Sequence, residues 1–185
     1  MELFRDSEKK NNYYMEYDKA LSQLTILHHE LYVETAYGKT HIIESGAHNK
    51  ENLVMLHCMG FSSIAWHSNL EELSKHFHVY CIDSIGEPNK TIGNTTSITF
   101  SDYMNWMIQI LDHLKISKAN IVGWCFGGFL ATGLTIFHQS RIAKTCALSP
   151  AATILKMTKN FYIKLFPALI TGKDEKINKF ISWIS

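Results

Sequence analysis

Six consecutive residues, Gly123-Trp124-Cys125-Phe126-Gly127-Gly128, constrain this chain more than any other stretch. Asn120-Ile121-Val122 before them is short and apolar, as a strand buried on both faces should be. After them the spacing predicts a helix from Phe126 to about His138, with Leu130, Leu134 and Phe137 on one face. A strand that turns straight into a helix places Cys125 at the tip of a sharp corner. Backbone bent this tightly is strained at the tip. Side chains two positions before and after would collide, so Gly123 and Gly127 answer a steric demand, and Gly128 lets the helix sit close to a neighbouring strand. A chance cluster of glycines around a core cysteine would need neither flanking element.

The corner also carries chemistry. A cysteine at a helix N-terminus feels the positive end of the helix dipole, which favours the thiolate. The backbone N–H of Phe126 would point toward an oxyanion formed at the tip. A strand, a reactive tip and a helix in this order make a nucleophile elbow. Cys125 is the candidate nucleophile, in a place where serine is commoner.

The rest of the chain supplies the frame. Its 185 residues suffice for one domain with a real core, and 46% hydrophobic against 19% charged content is globular. A net charge of +1 without basic runs gives no electrostatic case for nucleic acid. The charged start, Met1-Glu2-Leu3-Phe4-Arg5-Asp6, lacks an apolar signal core, and no apolar run approaches the ~20 residues of a membrane span. Cys58, Cys81, Cys125 and Cys146 show no C-x-x-C spacing and read as free thiols of a cytoplasmic protein. Ten scattered histidines suggest no metal site, and no phosphate loop or nucleotide fingerprint implies a cofactor.

Periodicity predicts an amphipathic helix over 8–29, then a hairpin of strands 31–36 and 40–44 joined at Tyr37-Gly38-Lys39. Strand 52–57, helix 65–76 and strand 79–82 follow, and a polar loop spans 85–97. Thr99 reads as an N-cap with Asp102 three residues on, and Ile98 with Tyr103 as a hydrophobic staple, for a helix reaching about Leu114. After the elbow comes strand 143–148, and from Ala151 the pattern turns helical, with a break at Pro167. A hairpin followed by strand–helix alternation implies an α/β fold, a mostly parallel sheet with helices on both faces. Residues 1–30 read as a helical extension, 31–150 as the core and 151–185 as the beginning of a helical cap. The elbow falls at the C-terminal end of a central strand, where such sheets bind ligands.

These residues carry a resemblance. Leu56-His57 with Met59-Gly60-Phe61-Ser62-Ser63, Trp66, Ile82-Asp83-Ser84-Ile85-Gly86 with Asn89-Lys90, Asp102-Tyr103 with Asn105-Trp106, the elbow, and Leu148-Ser149-Pro150-Ala151 together resemble the α/β-hydrolase fold. The likeness is to its carboxylesterase-like members from bacilli and runs from about Leu31 onward. It implies that the backbone N–H groups of Met59 and Phe126 form an oxyanion hole, that His57 braces the loop, and that Asp83 holds a turn. Cys58 stands where the family has glycine, a position expected to strain a cysteine.

The family's order is nucleophile, acid, histidine. After Cys125 the carboxylates are Asp174 and Glu175, at the start of a predicted helix, and the histidine is His138, at the far end of the elbow helix. Neither is placed to complete a triad. The resemblance therefore implies a C-terminally truncated hydrolase lacking the family's last strands. Strand 143–148 would be left as an apolar sheet edge suited to self-association.

Three functional readings follow. One is hydrolysis of a small acyl ester or thioester through Cys125, impaired for want of a base and an acid. Another is an inactive remnant or a binding pseudoenzyme. The third is a cysteine-dependent acyltransferase of the polyester-synthase type, whose G-x-C-x-G box the elbow also resembles. Ile154, Met157, Phe161, Phe166 and Trp183 are candidates for an apolar acyl pocket, or for packing the cap.

Overall fold

Apolar side chains alternate across the central strands, so both faces of the sheet need a cover. The structure, a computed structural model, describes residues 6–94, 98–153, 158–171 and 174–184. Helix α1 (Ser7–Ser22) leads into a hairpin of β1 (His28–Thr35) and β2 (Gly38–Ser45). Then come β3 (Asn52–Leu56), α2 (His67–Leu73), β4 (His78–Ile82) and the two-residue β5 (Ile92–Gly93). Helix α3 (Phe100–His113), β6 (Ala119–Trp124), α4 (Phe126–Phe137) and β7 (Ile142–Leu148) complete the sheet. Among the described residues seven strands form one sheet in the order β1-β2-β4-β3-β6-β7, with β5 beside β2. β2 runs antiparallel to β1, β4 and β5, whereas β4, β3, β6 and β7 are parallel.

Side-chain alternation in β3 sorts the two cores. Leu53 and Met55 face one side, with Tyr17 and Leu21 of α1, Trp66 and Leu70. Val54 and Leu56 face the other, with Met104, Trp106, Met107, Ile110 and Leu111 of α3 and Leu130, Ala131 and Leu134 of α4. Each fully buried side chain of this size contributes roughly 1.5–3 kcal/mol. The buried Trp106 indole N–H donates to Thr40 Oγ1 at 2.7 Å, so its polar atom is satisfied. From β3 the chain steps to β4 on one side, then returns through α3 to β6 on the other. The C-terminal ends of β3 and β6 thus flank a topological switch point, where a crevice opens between diverging connections.

The described chain divides into two units, Met1–Pro150 and Ala151–Ser185. In the second, α5 (Lys159–Thr171) and α6 (Asp174–Ile184) meet through Phe161, whose ring lies 5.7 Å from that of Phe180 and 6.4 Å from that of Trp183. Tyr162 and Phe166 stack at 6.2 Å on α5. No helix among the described residues is long and apolar enough to cross a membrane.

Several elements depart from expectation. The helix expected over 8–29 stops at Ser22, because His28, His29 and Glu30 pair with Ser45, Glu44 and Ile43 across the hairpin. Register closes the hairpin at Thr35↔Gly38, so Ala36 and Tyr37 make the turn. The helix expected over 65–76 divides into a 3₁₀ turn, Ser63–Trp66, and α2. Pro167 lies within α5 and does not end it; proline removes one helical bond, which a run of good helix formers can bridge. Phe137 is exposed, unlike Leu130 and Leu134. β7 pairs with β6 alone among the described strands, and Ala143, Lys144, Thr145 and Cys146 along it are exposed. Ile154 and Met157 lie outside the described residues.

Candidate active site

β6 ends at Trp124 and α4 begins at Phe126, which leaves Cys125 alone at the corner. It takes φ 54° and ψ −109°, a conformation that costs an L-residue of order 1–3 kcal/mol. Neighbouring structure holds it there. The Cys125 N–H donates to the Leu148 carbonyl at 2.9 Å, and its carbonyl accepts from the Phe129 N–H at 3.0 Å. A Cβ at Gly123 would fall on the Gly127 carbonyl, and one at Gly127 on the carbonyl of Leu56. A Cβ at Gly128 would come within 3.1 Å of Pro150. The first turn of α4 therefore rests directly on the end of β3.

The loop after β3 is braced from behind. His57 is buried, and its Nε2 accepts from the Ser84 N–H at 2.9 Å. That partner can only donate, so the hydrogen of the neutral ring sits on Nδ1, which donates to the Cys58 carbonyl at 2.8 Å. Burial lowers the His57 pKa, and both ring nitrogens are engaged by backbone. His57 is thus a neutral tie between two loops. Asp83, fully buried, accepts from the Ser63 N–H at 2.7 Å and the Lys90 N–H at 3.2 Å, which holds the loops after β3 and β4. Between them a tight turn is closed by the Phe61 N–H donating to the Cys58 carbonyl at 3.1 Å. The strain expected at Cys58 is absent. The positive φ of this turn falls to Gly60, at 77°.

Glu87 escaped the sequence reading. Its carboxylate is buried and accepts from the Gly60 N–H at 2.8 Å. Burial pushes its pKa up, and the Gly60 hydrogen bond partly opposes that. No motif flags this residue, since its role depends on where the loop after β4 meets the turn after β3.

A second unforeseen feature is chemical. β3 and β6 pair with Leu56 beside Gly123. Two residues further along each chain stand Cys58 and Cys125. Both thiols are half-buried, and each is the main influence on the other's ionisation. The Cys58 thiol, donating to the Cys125 sulfur, is the main influence that lowers the Cys125 pKa to about 6; burial opposes it and the Phe126 N–H adds to it. The same contact, with burial, pushes the Cys58 thiol up, while the Phe126 N–H reaches its sulfur too. The pair thus favours negative charge on Cys125, at the helix N-terminus, and the proton on Cys58. Of the two backbone groups expected to hold an oxyanion, Phe126 N–H lowers the pKa of both thiols, and Met59 N–H has no hydrogen-bond partner among the described residues. Aromatic rings frame the tip: Trp124 lies 5.3 Å from Phe61, and Phe126 lies 5.3 Å from Tyr103.

No histidine or carboxylate among the described residues contacts the Cys125 thiol. His138 caps the opposite end of α4, about 20 Å away at 1.5 Å per residue. Asp174 and Glu175 open α6 in the other unit. Nor do the described residues gather three or more His, Cys, Asp or Glu side chains able to hold a metal ion.

Comparison with known proteins accords with this geometry. The family model described as "alpha/beta hydrolase fold" matches residues 51–179. The chain is 32% identical over 178 residues to the uncharacterized carboxylesterase nap of Bacillus subtilis (strain 168), covering 96% of this chain and 58% of that protein. It is 31% identical over 182 residues to the carboxylesterase YbfK of the same strain, covering 98% of this chain and 60% of that one. Among solved structures, naproxen esterase (carboxylesterase NP) from Bacillus subtilis superposes with a TM-score of 0.86 at 33% identity, over 92% of this chain and 59% of that chain. The present chain thus spans about three-fifths of the length of the curated relatives it matches.

Proposed function

The chain belongs to the α/β-hydrolase fold family and is related to its carboxylesterases, and on that premise we propose that Cys125 accepts the acyl group of small carboxylic esters or thioesters. One observation carries this reading: a cysteine stands at the strained tip of the elbow, at the N-terminus of α4, where its pKa is lowered. The thiolate attacks the acyl carbonyl carbon and forms a C–S bond, and the carbonyl electron pair moves to oxygen. The Met59 N–H, and the Phe126 N–H once it turns from sulfur, are the donors for that oxyanion. Collapse expels the alkoxide or thiolate leaving group, which takes a proton from water.

The second half is harder. A thioacyl-enzyme must be attacked by water, and that step needs a base. No described residue supplies one at Cys125, and the Cys58 sulfur competes for the Phe126 N–H. Both features favour acylation over turnover, so these residues behave as an acyl acceptor with impaired hydrolysis. Mixing with p-nitrophenyl acetate should release about one equivalent of p-nitrophenol, then stall near the rate of a free thiol. Intact mass should rise by one acetyl group, mapped to the peptide holding Cys125, and Cys125→Ala should abolish the burst. A burst that survives Cys125→Ala, or an acetyl group on Cys146, would overturn the assignment.

A further inference from the structure

We propose that Cys125 and Cys58 form a peroxide-reactive dithiol, in which a hydroperoxide oxidises Cys125 and Cys58 resolves it to an intramolecular disulfide. The inference shares with the proposed function only the thiolate at Cys125, and it does not depend on ester chemistry.

Geometry is its first support. Parallel neighbours in a sheet lie about 4.7–4.9 Å apart, and disulfides join Cα atoms about 4.4–6.8 Å apart. β3 and β6 are paired up to Leu56↔Gly123, and Cys58 and Cys125 each stand two residues beyond that last pair. The α4 turn cannot drift away, because Gly127 already lies against the Leu56 and His57 carbonyls. The two thiols are near enough to shift each other's ionisation. Among the described residues neither of the other two cysteines is paired with a cysteine across the sheet. Cys81 is buried between Ile43 and Met55, and Cys146 pairs with Val122 at the exposed β7.

Chemistry is the second. A resident sulfur at the Phe126 N–H hinders an ester's oxyanion, but it is where a resolving thiol must stand. In the first step the Cys125 thiolate attacks one peroxide oxygen. An S–O bond forms, the O–O bond breaks, and hydroxide or alkoxide leaves to take a proton from water. In the second, Cys58 attacks the sulfenic sulfur: S–S forms, S–O breaks, and the oxygen departs with the Cys58 proton as water. Two electrons pass from the two thiols to the peroxide, and a dithiol reductant returns them. The contact that keeps Cys58 protonated is its bond to the Cys125 thiolate. Oxidation removes that negative charge and so eases deprotonation of Cys58 for the second step. Closure also masks the elbow nucleophile, which makes acyl acceptance redox-dependent.

The test uses the reduced full chain. Iodoacetamide first reports whether Cys125 is a reactive thiolate. Equimolar hydrogen peroxide is then added, and thiols are read by intact mass and by peptide mapping without reductant. The expected result is a mass loss of two hydrogens, a Cys58–Cys125 linked peptide, complete loss of Cys125 alkylation, and its return with dithiothreitol. Cys146→Ser should keep the link. Cys58→Ser should stop at a Cys125 sulfenic acid captured by dimedone. Fast alkylation with no Cys58–Cys125 link after peroxide, or a link through Cys81 or Cys146, overturns this proposal and leaves the acyl-acceptor reading standing. Slow alkylation at neutral pH overturns the thiolate that both share.

Discussion

Cys125 keeps its left-handed backbone because the glycines two positions away leave room for the turn, and its thiol is acidic because a second cysteine donates to it. The two causes separate experimentally. Alkylation by iodoacetamide, followed against pH by mass spectrometry, should have its midpoint near pH 6, the value held by the Cys58 hydrogen bond. Below it the thiolate is protonated and the rate falls about tenfold per unit. Cys58→Ala deletes the donor but keeps the helix dipole and the Phe126 N–H, so the midpoint should rise toward the ordinary thiol value of about 8.5. An unchanged midpoint would assign the acidity to the helix alone. The elbow itself was legible because its demands are local: strand, tip, glycines and helix are contiguous. The Cys58 contact was not, since it depends on the register between two strands far apart in sequence. Glu87 was hidden for the same reason, because the backbone N–H it accepts from belongs to another loop.

Elements whose ends are set by their own residues followed the sequence closely. α3 starts where Thr99 and Asp102 predict: Thr99 Oγ1 accepts from the Asp102 N–H at 3.2 Å, and Asp102 Oδ2 accepts from the Thr99 N–H at 2.8 Å. By contrast, α1 gives up its expected last turns to strand pairing, a choice made by β2 and invisible to helical periodicity. Two substitutions test the difference between a local and a packed helix end. Thr99→Ala removes half of the capping box and should lower stability by about 1 kcal/mol. Its Cys125 alkylation midpoint should not move, because α3 touches the elbow only through its packed face. Gly127→Ala drives a methyl group into the Leu56 carbonyl and must lift α4 from β3. It should cost about 3 kcal/mol and raise the Cys125 midpoint, since the thiols part as the helix moves. Urea unfolding read beside the alkylation profile distinguishes them. A Gly127→Ala protein with normal stability would show that the close approach of α4 to β3 is not required.

Across the whole molecule, one buried carboxylate ties separate parts of the chain to the frame of the site. Asp83 Oδ2 accepts from Tyr17 of α1 at 3.1 Å, from His41 Nδ1 of β2 at 2.9 Å and from the Lys90 N–H at 3.2 Å, while Oδ1 accepts from the Ser63 N–H at 2.7 Å. His41 Nε2 reaches Glu30 of β1 at 2.8 Å, which extends the tie to the hairpin's outer strand. Burial alone would raise the Asp83 pKa, but the hydrogen bond and charge of His41, with the Ser63 N–H, outweigh it and hold the carboxyl low. The sign follows from that depression. Unfolded, Asp83 titrates near the ordinary value of about 3.9. Above that pH its native ionisation contributes stability in full, and the contribution is lost as pH falls through the lower native value. Asp83→Asn keeps the shape but has one acceptor oxygen. Whichever way the amide turns, an NH₂ group faces donors, either the Ser63 N–H or the Tyr17, His41 and Lys90 set. Breaking a buried charged cluster in this way costs about 3–5 kcal/mol. Thermal unfolding at pH 7 should show Asp83→Asn strongly destabilised. Followed downward from pH 5, the wild-type melting temperature should carry an acid-dependent fall that the variant lacks. Parallel acid slopes in the two proteins would mean that Asp83 is not the group whose protonation loosens the molecule.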